Sequence, residues 1–391
     1  MRLFRLLILF LLLSAVAACN NAQPSTGAAP VGEAGPARPI LVAQEQAILL
    51  GETTSPETLA ELARCERQDC FIRHPKWSPG GTEVLFLDSS FSPFAADIVV
   101  AERDGSTRVL ASGAHPSFEA AWSPDGSQVA FIVETQDFME SVGNEARYEV
   151  WSVGAAGGEP TKRGDVGFGT GCGGMTSISE RLYEAEGFLY SALNLAWGED
   201  DVLLYTLNCG GAGVGRFSME TGEMLEDYAP TTLRDFTFDA ATDRWAGIGE
   251  NVIVVGDPGS PDYDVIEIEA HPSSAYFGPQ GTLYYVTRQA NEGALDTFVS
   301  TLWRYDEASG EHTQLWQSPD FAFANVQDDG AGNLFFTRIE NDVNRAFEQL
   351  MNGATEAELA AIAPKKQVLR LSASGGEPTV FMEDAGSAAI P

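Results

Sequence analysis

The pattern Trp-Ser-Pro-Asp-Gly followed by alternating side chains, at residues 122–133, most constrains how this chain can fold. Pro124 presets the backbone for a tight turn, and Asp125 tolerates the bend. Gly126 can take the positive φ that residues with a side chain avoid. Apolar residues then alternate over 128–133, which is typical of a strand. The stretch therefore predicts two antiparallel strands joined by a tight turn.

This turn-and-strand pattern recurs along the chain, and a second strand pair with its own polar turn follows each copy. The other copies are at residues 75–87, 195–207, 236–249, 275–287 and 324–337. The marker residues before each turn are Trp77, Trp122, Trp197, Phe238, Phe277 and Val326, spaced by 45, 75, 41, 39 and 49 residues. Four strands every 40–50 residues, each set too thin to fold alone, predict an all-β propeller with four antiparallel strands per blade. We count six blades over about residues 71–384, with seven as the alternative, and expect each marker to wedge between neighbouring blades.

The repeat from Trp122 to Phe131 resembles the TolB-type propeller repeat, a WD40-like pattern also called PD40. The resemblance is strong in two copies and loose in four, and it extends over most of the chain after residue 70. It implies a β-propeller fold. It implies no partner, because TolB itself carries an α/β domain before its propeller, and only about 30 residues precede the first blade here after the predicted tether.

The first 19 residues have the pattern of an export signal. Two arginines precede an apolar run, Leu6–Leu13, and Val16–Cys19 resembles a bacterial lipobox. The resemblance implies that Cys19 is lipidated and becomes the mature N-terminus, and the alternative is ordinary secretion. Asn20, where Asp would favour inner-membrane retention, favours the outer membrane if the cell is Gram-negative. We expect an extracytoplasmic protein held to a membrane by lipid.

The rest of the chain divides into four parts. Residues 20–38 are rich in small residues, Pro and Gly, which predicts a flexible tether. Residues 39–70 predict a strand that locks the ring, or half of a seventh blade, and a short helix at 55–65. The propeller follows at 71–384, with a C-terminal tail at 385–391. No other stretch approaches the roughly 20 apolar residues that span a bilayer.

The formal net charge of −33 restricts the partners. Nucleic-acid affinity comes mainly from Lys and Arg on phosphates, so we expect no nucleic acid. The charge also argues against electrostatic docking on anionic lipid. The excess of carboxylates favours solubility, and a salt-rich habitat or a basic partner are the alternatives. We expect a monomer.

The longest connections are expected on one face of the disc. If the strands of a blade are lettered A to D from the centre outward, the A–B and C–D turns share one face. The B–C loops and the D–A crossings share the other. The long insertions at 89–97, 135–148, 164–190 and 340–366 belong to this second face, so we expect a binding surface there. The candidate contact residues are Phe91, Phe94, Phe138, Phe168, Tyr183 and Phe188. The alternative is that these aromatics only pack the loops onto the disc.

Four cysteines remain after Cys19, an even number in an exported chain, which indicates disulfides. Three pairings can be drawn. Cys65 and Cys70 enclose only four residues, and Cys172 and Cys209 fall on the same predicted face. We favour Cys65–Cys70 and Cys172–Cys209. A metal site of all four thiolates is the alternative, which the lack of any Cys-x-x-Cys pair disfavours.

Three of the four histidines stand in His-Pro pairs before an innermost strand: His74, His115 and His271. If their side chains converged on the central channel, they would hold a divalent metal, and some propeller polysaccharide lyases resemble this arrangement. The alternative is that His-Pro is a remnant of the repeat and the three side chains point apart. Their unequal distances to the next marker favour this alternative. We expect no other cofactor.

The function is predicted only as a class. The chain has no Gly-x-Ser-x-Gly elbow, so its resemblance to the propeller-bearing peptidases stops at the propeller, and we predict no catalytic residue. The leading prediction is a non-catalytic module that docks a protein or glycan on its loop-rich face. One alternative is a metal-assisted lyase or hydrolase acting on an extracellular carbohydrate or small ester through the central channel. Another is a structural or assembly factor of the cell envelope.

Overall fold

The computed structural model describes most of the chain from residue 37 to residue 391. The segments outside the described residues are 1–36, 45, 66–69, 91–95, 115–118, 135–146, 168–193, 208–212, 226–232, 234, 261, 279–280, 291–297, 320 and 341–365. The described residues form seven antiparallel sheets. No stretch among them forms a helix with the length and apolarity that a bilayer crossing requires.

The first three copies of the repeat form three of the sheets, here called blades 1 to 3. Blade 1 contains β4 (Cys70–Trp77), β5 (Glu83–Ser90), β6 (Ala96–Glu102) and β7 (Thr107–Ala114). Blade 2 contains β8 (Ala121–Trp122), β9 (Gln128–Glu134), β10 (Arg147–Gly154) and β11 (Thr161–Gly167). Blade 3 has three strands among the described residues, β12 (Leu195–Trp197), β13 (Val202–Leu207) and β14 (Gly213–Ser218).

The remaining copies form blades 4 to 6, with the same strand order. Blade 4 contains β15 (Asp235–Asp239), β16 (Arg244–Ile248), β17 (Val252–Gly256) and β18 (Tyr263–Glu267). Blade 5 contains β19 (His271–Phe277), β20 (Leu283–Ala290), β21 (Phe298–Asp306) and β22 (Glu311–Ser318). Blade 6 contains β23 (Phe321–Asp328), β24 (Asn333–Glu340), β25 (Lys366–Ser372) and β26 (Thr379–Glu383).

The seventh sheet is built from both ends of the propeller and closes the ring. The amino-terminal side supplies β1 (Pro39–Ala43), β2 (Ala47–Glu52) and β3 (Ser55–Arg64), and the carboxyl-terminal side supplies β27 (Ser387–Ala389) as strand A. Strand β27 pairs antiparallel with β1, Val42 opposite Ala388. The six-blade count is therefore wrong and the seven-blade alternative is confirmed, because the six repeats do not include this composite blade.

Two local predictions fail in this seventh blade. The segment predicted as a short helix at 55–65 is strand β3, which pairs with β2 through two register shifts. Its apolar residues at helical spacing bury Leu62 and Ala63 against blade 1 instead. Pairing with a neighbouring strand here outweighs local helix propensity. The residues predicted as a tail from 385 onward contain β27, so the ring extends beyond residues 71–384.

The hydrophobic core is a ring of seven clusters, one between each pair of adjacent blades. Trp122 of blade 2 packs among Leu85 and Ile98 of blade 1. Trp197 of blade 3 packs against Ala130 and Val150 of blade 2 in the same way. The markers of blades 1, 4 and 5 also pack against the preceding blade. The prediction that these aromatics wedge between blades is therefore confirmed.

Val326, the sixth predicted marker, is buried in the cluster between blades 5 and 6, but its place in the strand register differs from that of the other markers. A register shift in β23 leaves Asn325 and Val326 without partners on β24, so Asp328 pairs with Leu334 as Trp77 pairs with Val84. Asp328 accepts a 2.7 Å hydrogen bond from the Tyr284 hydroxyl of blade 5. At this register position a polar pair stands where the other repeats have an aromatic residue, while the rest of the interface is apolar.

The turn at residues 123–127 has the predicted chemistry. Gly126 has a φ of +71° and donates to the Ser123 carbonyl at 2.8 Å. The Asp125 carboxylate accepts from the Ser127 backbone N–H at 2.9 Å and from the Ser123 hydroxyl at 2.7 Å. These bonds fix the hairpin between strands A and B of blade 2.

We predict that a charge buried at the closing strand destabilises the whole ring. Ala388→Glu would place a carboxylate against the apolar cluster between blades 6 and 7, where Ala388 is 4% exposed. An unpaired buried charge costs several kcal/mol, so we expect the free energy of unfolding to fall by about 3 kcal/mol or more. The measurement is denaturant unfolding followed by tryptophan fluorescence.

Ala156→Glu is the matched control, because Ala156 is exposed in the C–D turn of blade 2. We expect its unfolding free energy to stay within about 0.5 kcal/mol of the unmodified chain. Equal stability of the two variants would contradict ring closure by β27.

Candidate functional site

The two faces of the disc differ in the length of their connections. Each A–B or C–D turn between described strands has six residues or fewer, as at 123–127 and 155–160. The B–C loops and D–A crossings include the segments between β9 and β10, β11 and β12, and β24 and β25. The longest of these are residues 168–194 and 341–365. We call the first the tight-turn face and the second the loop-rich face.

None of the aromatic residues predicted as contacts is among the described residues. They are Phe91, Phe94, Phe138, Phe168, Tyr183 and Phe188. Strands β5 and β6, β9 and β10, and β11 and β12 flank the segments that contain them. The role of these side chains in binding stays a prediction.

One of the two predicted disulfides is present. Cys65 and Cys70 are bonded, with 6.2 Å between their Cα atoms. The bond joins the end of β3, strand D of blade 7, to the start of β4, strand A of blade 1. Cys172 and Cys209 lie outside the described residues. A site of four thiolates is excluded, since two of the cysteines are bonded to each other.

The innermost strands of blades 1 to 3 meet at an ion pair close to His74. The Lys76 ammonium forms a salt bridge with Glu119, which precedes β8, and donates to the Leu195 carbonyl of β12 at 3.0 Å. The Lys76 side chain therefore links three consecutive blades at their inner edge. The second oxygen of Glu119 lies 3.8 Å from His74 Nδ1.

His74 stands at an unusual backbone position. Its φ is +52°, and a register shift between Arg73 and Lys76 leaves it unpaired with β5. Asn325 occupies the corresponding bulge of β23, also with a φ of +52°. Asn adopts this conformation more readily than most residues. A bulge disrupts the strand pairing locally and can change the direction of a side chain.

The pKa of His74 is lowered from 6.5 to about 4. Desolvation is the main cause, and the Arg73 and Lys76 cations add to it, whereas the Glu119 carboxylate opposes it. The imidazole is therefore neutral at neutral pH. A neutral imidazole is the form that binds a metal ion or accepts a proton.

The predicted histidine metal site stays a prediction, since the structure describes only two of its three members. His271 is exposed, and its Nδ1 lies 2.8 Å from the Glu250 carbonyl in the B–C turn of blade 4. His115 lies outside the described residues. Within the described part of the chain, Cys65, Cys70 and Asp88 alone bring three ligand atoms of His, Cys, Asp or Glu within 4.8 Å of one another. The disulfide removes both thiolates from that group.

Lys76 and Glu119 were missed by sequence reasoning. Lys76 is one of only four lysines, and it lies between His74-Pro75 and the marker Trp77. This position was a sequence signal that could have identified it. Glu119 had no such signal, because its partner lies 43 positions away on another blade. A second group missed on the loop-rich face is Arg338, which stacks over Phe321 at 4.2 Å and bonds to Gln367.

Comparison with known proteins establishes the fold. A prolyl endopeptidase structure resembles the chain with a TM-score of 0.54 and 12% identity, over 89% of this chain and 47% of that one. The chain is a β-propeller. It spans about half the length of this endopeptidase.

Two further solved propellers are similar at lower scores. One is a TolB protein from Agrobacterium tumefaciens, with a TM-score of 0.41 and 11% identity over 89% of this chain and 90% of that one. The other is the C-terminal WD40 domain of Sif2, with a TM-score of 0.47 and 11% identity over 90% of this chain and 93% of that one. No protein-family model matches the chain. No curated protein matches its sequence.

We predict that the Cys65–Cys70 bond stabilises the seam between blades 7 and 1. Cys65→Ala/Cys70→Ala should lower the free energy of unfolding by about 2 kcal/mol, the loop-closure contribution of a ring this small. Denaturant unfolding without reductant measures it. An unchanged midpoint would contradict a stabilising bond. A further loss when the double variant is reduced would report the predicted Cys172–Cys209 bond.

We predict that His74 makes the fold sensitive to mild acid. Its folded pKa lies below its unfolded value, so the unfolded chain binds the proton more tightly. Stability from this group is present above pH 6.5 and is lost as the pH falls toward 4, by about 3 kcal/mol at most. His74→Asn keeps a residue suited to the positive φ and should flatten this part of the profile. His271→Asn, at an exposed histidine, should not, and identical profiles for all three proteins would contradict the assignment.

Proposed function

We propose that this protein is a lipid-anchored extracytoplasmic β-propeller that binds a protein or glycan through its loop-rich face without catalysing a reaction. The observation that carries the proposal is the one-sided distribution of connection length. Every A–B and C–D turn between described strands has six residues or fewer, whereas the connections at 135–146, 168–194 and 341–365 join strands at the other face. Long connections on a rigid scaffold are where binding residues concentrate.

The scaffold beneath that face is rigid and already closed. Central strands of the blades are buried on both sides, as Val84–Leu87 of β5 shows. The loops therefore leave from fixed points around the ring, and binding does not require the disc to rearrange. A preorganised surface loses less conformational entropy when it meets its partner. The anchor is supported by the lipobox-like Val16–Cys19 and the absence of another long apolar stretch.

The second candidate is a channel enzyme, and the His74 group is the observation that favours it. A neutral imidazole beside a carboxylate is a common arrangement in acid–base catalysis. Lys76 and Glu119, however, bond to each other and to the Leu195 backbone. Because these groups satisfy one another across three blades, they support a structural role for the cluster, and we rank binding first.

We expect crosslinking of the lipidated protein in whole envelopes to capture a specific partner. Replacing residues 168–190 with a short turn should abolish the capture while the unfolding midpoint stays unchanged. The matched control changes the tight-turn face of the same blade, through Glu159→Gln and Ala156→Ser in the exposed turn after β10. Its capture should equal that of the unmodified chain.

Two outcomes would contradict the proposal. If capture is lost with the tight-turn variant and kept when residues 168–190 are replaced, the binding surface lies on the tight-turn face. No capture, together with a stoichiometric divalent metal in the same preparation and loss of that metal in His74→Asn, would favour the channel enzyme.

A further inference from the structure

Strand β18 (Tyr263–Glu267), the outermost strand of blade 4, has one open edge. It pairs with β17, and no other described strand pairs with it. In the same register, the Ile268 backbone N–H donates to the Asn251 carbonyl at 2.8 Å. Ladder bonds between antiparallel strands fall on alternate residues, so those of β18 fall on its even-numbered residues. The backbone N–H and carbonyl groups of residues 263, 265 and 267 therefore point away from the sheet.

The open edge carries two exposed apolar side chains. Tyr263 is 39% exposed and Val265 is 52% exposed, whereas the other outer strands among the described residues each have at most one large apolar side chain that is comparably exposed. Val265 pairs with Val254, which is buried in the cluster between blades 3 and 4, so its side chain lies on that side of the sheet. Tyr263 shares that side, because successive side chains of a strand alternate. The apolar layer between the two blades thus continues to the rim of the disc.

Every charge along this edge is negative. Residues 257–269 contain five aspartates and glutamates and no Lys, Arg or His. Asp264 and Glu267, within β18, are both exposed. Charged side chains on an edge strand prevent pairing with strands of like charge. The carboxylates of β18 therefore exclude acidic strands and leave the edge open to a basic one.

We propose that β18 docks an extended, basic segment of a partner protein, which adds to blade 4 as a fifth strand. The main chain of the segment bonds to the outward groups of β18, and its apolar side chains cover Tyr263 and Val265. Its Lys or Arg side chains meet the carboxylates of Asp264 and Glu267. The site lies on the rim of the disc, so it is separate from the proposed binding surface on the loop-rich face. It does not depend on the lipid anchor.

A second copy of this chain does not fit the same edge. Two β18 strands paired with each other would bring Asp264 and Glu267 of both copies onto one short ladder. Like charges on facing strands destabilise their pairing. Main-chain bonds alone do not select between partners, so the exposed apolar side chains and the carboxylates supply the selection for an apolar, basic strand.

The first measurement is the binding of a fluorescent synthetic peptide, Lys-Val-Lys-Val-Lys-Val-Lys, to the full chain in a neutral detergent. We expect saturable binding by fluorescence anisotropy. We also expect slower hydrogen exchange of residues 263–267 in the complex, because the outward N–H groups become bonded. The peptide with Glu in place of each Lys should not bind, because its charges face those of β18.

Three variants change the backbone, the apolar side chains and the charges of this edge in turn. Val265→Pro removes an outward N–H and leaves the bonds to β17 in place, which an edge strand tolerates. It should weaken binding about tenfold, through loss of a main-chain hydrogen bond. Tyr263→Thr/Val265→Thr keeps strand propensity and every N–H but removes apolar contact area, and should weaken binding about fivefold. Asp264→Asn/Glu267→Gln should weaken binding about threefold, an effect that high salt removes.

Val109→Pro is the matched control. Val109 is 59% exposed on the outer strand β7, which contains Arg108 and no carboxylate. The Glu102 N–H donates to the Ser106 carbonyl at 2.9 Å, so the same alternation directs the N–H of Val109 outward. The affinity of this control for the peptide should equal that of the unmodified chain. Unfolding midpoints of all variants establish that each one is folded.

Equal affinity of Val265→Pro and Val109→Pro would overturn the assignment to β18, since the peptide would then respond only to the overall negative charge. An unmodified chain that does not bind the peptide, or binds it without slower exchange at 263–267, would overturn strand addition. If Val265→Pro does not fold, the decision passes to the double Thr variant, whose unchanged affinity would overturn the proposal. None of these results bears on capture at the loop-rich face, which the replacement of residues 168–190 tests.

Discussion

Burial of each blade between its two neighbours is the constraint on which the rest of this structure depends. The clusters that form the core all join adjacent blades, so each sheet has two apolar faces to cover. An open row of six blades would leave one such face bare at each end. The seventh sheet covers both, because β27 from the carboxyl-terminal end pairs with β1 from the amino-terminal end. Closure also removes two exposed sheet faces that would promote association.

Closure brings both ends of the propeller to the tight-turn face, because β1, strand B of blade 7, begins there and β27, strand A of the same blade, ends there. Arg38, directly before β1, donates hydrogen bonds from its guanidinium to the carbonyls of Asp329 and Pro391. The longest connections join strands that end and begin at the loop-rich face. The division of the propeller into a face that holds both of its ends and a loop-rich face follows from the strand order and from which blade contains the ends.

Much of this was accessible from the sequence, and the failures have physical causes. Trp122, Asp125 and Gly126 carry local information, because turn chemistry and a wedge residue act within one hairpin. The seventh blade carries no repeat and depends on pairing between segments about 345 residues apart, as Val42 opposite Ala388 illustrates. The helical spacing of apolar residues around Leu62 predicted a helix wrongly for a similar reason, since pairing with β2 determines the structure of β3. At the centre of the ring, His74 was identified by its His-Pro pair, whereas Glu119 required knowledge of the neighbouring blade.

The most direct test of the division between the two faces is site-specific photo-crosslinking in living cells. A photoreactive amino acid would be placed at Glu250 or Glu269 on the loop-rich face and at Ser309 or Glu159 on the tight-turn face, all exposed positions. The account predicts a discrete adduct from the first pair and none from the second. Adducts from Ser309 and Glu159, with none from Glu250 and Glu269, would contradict it.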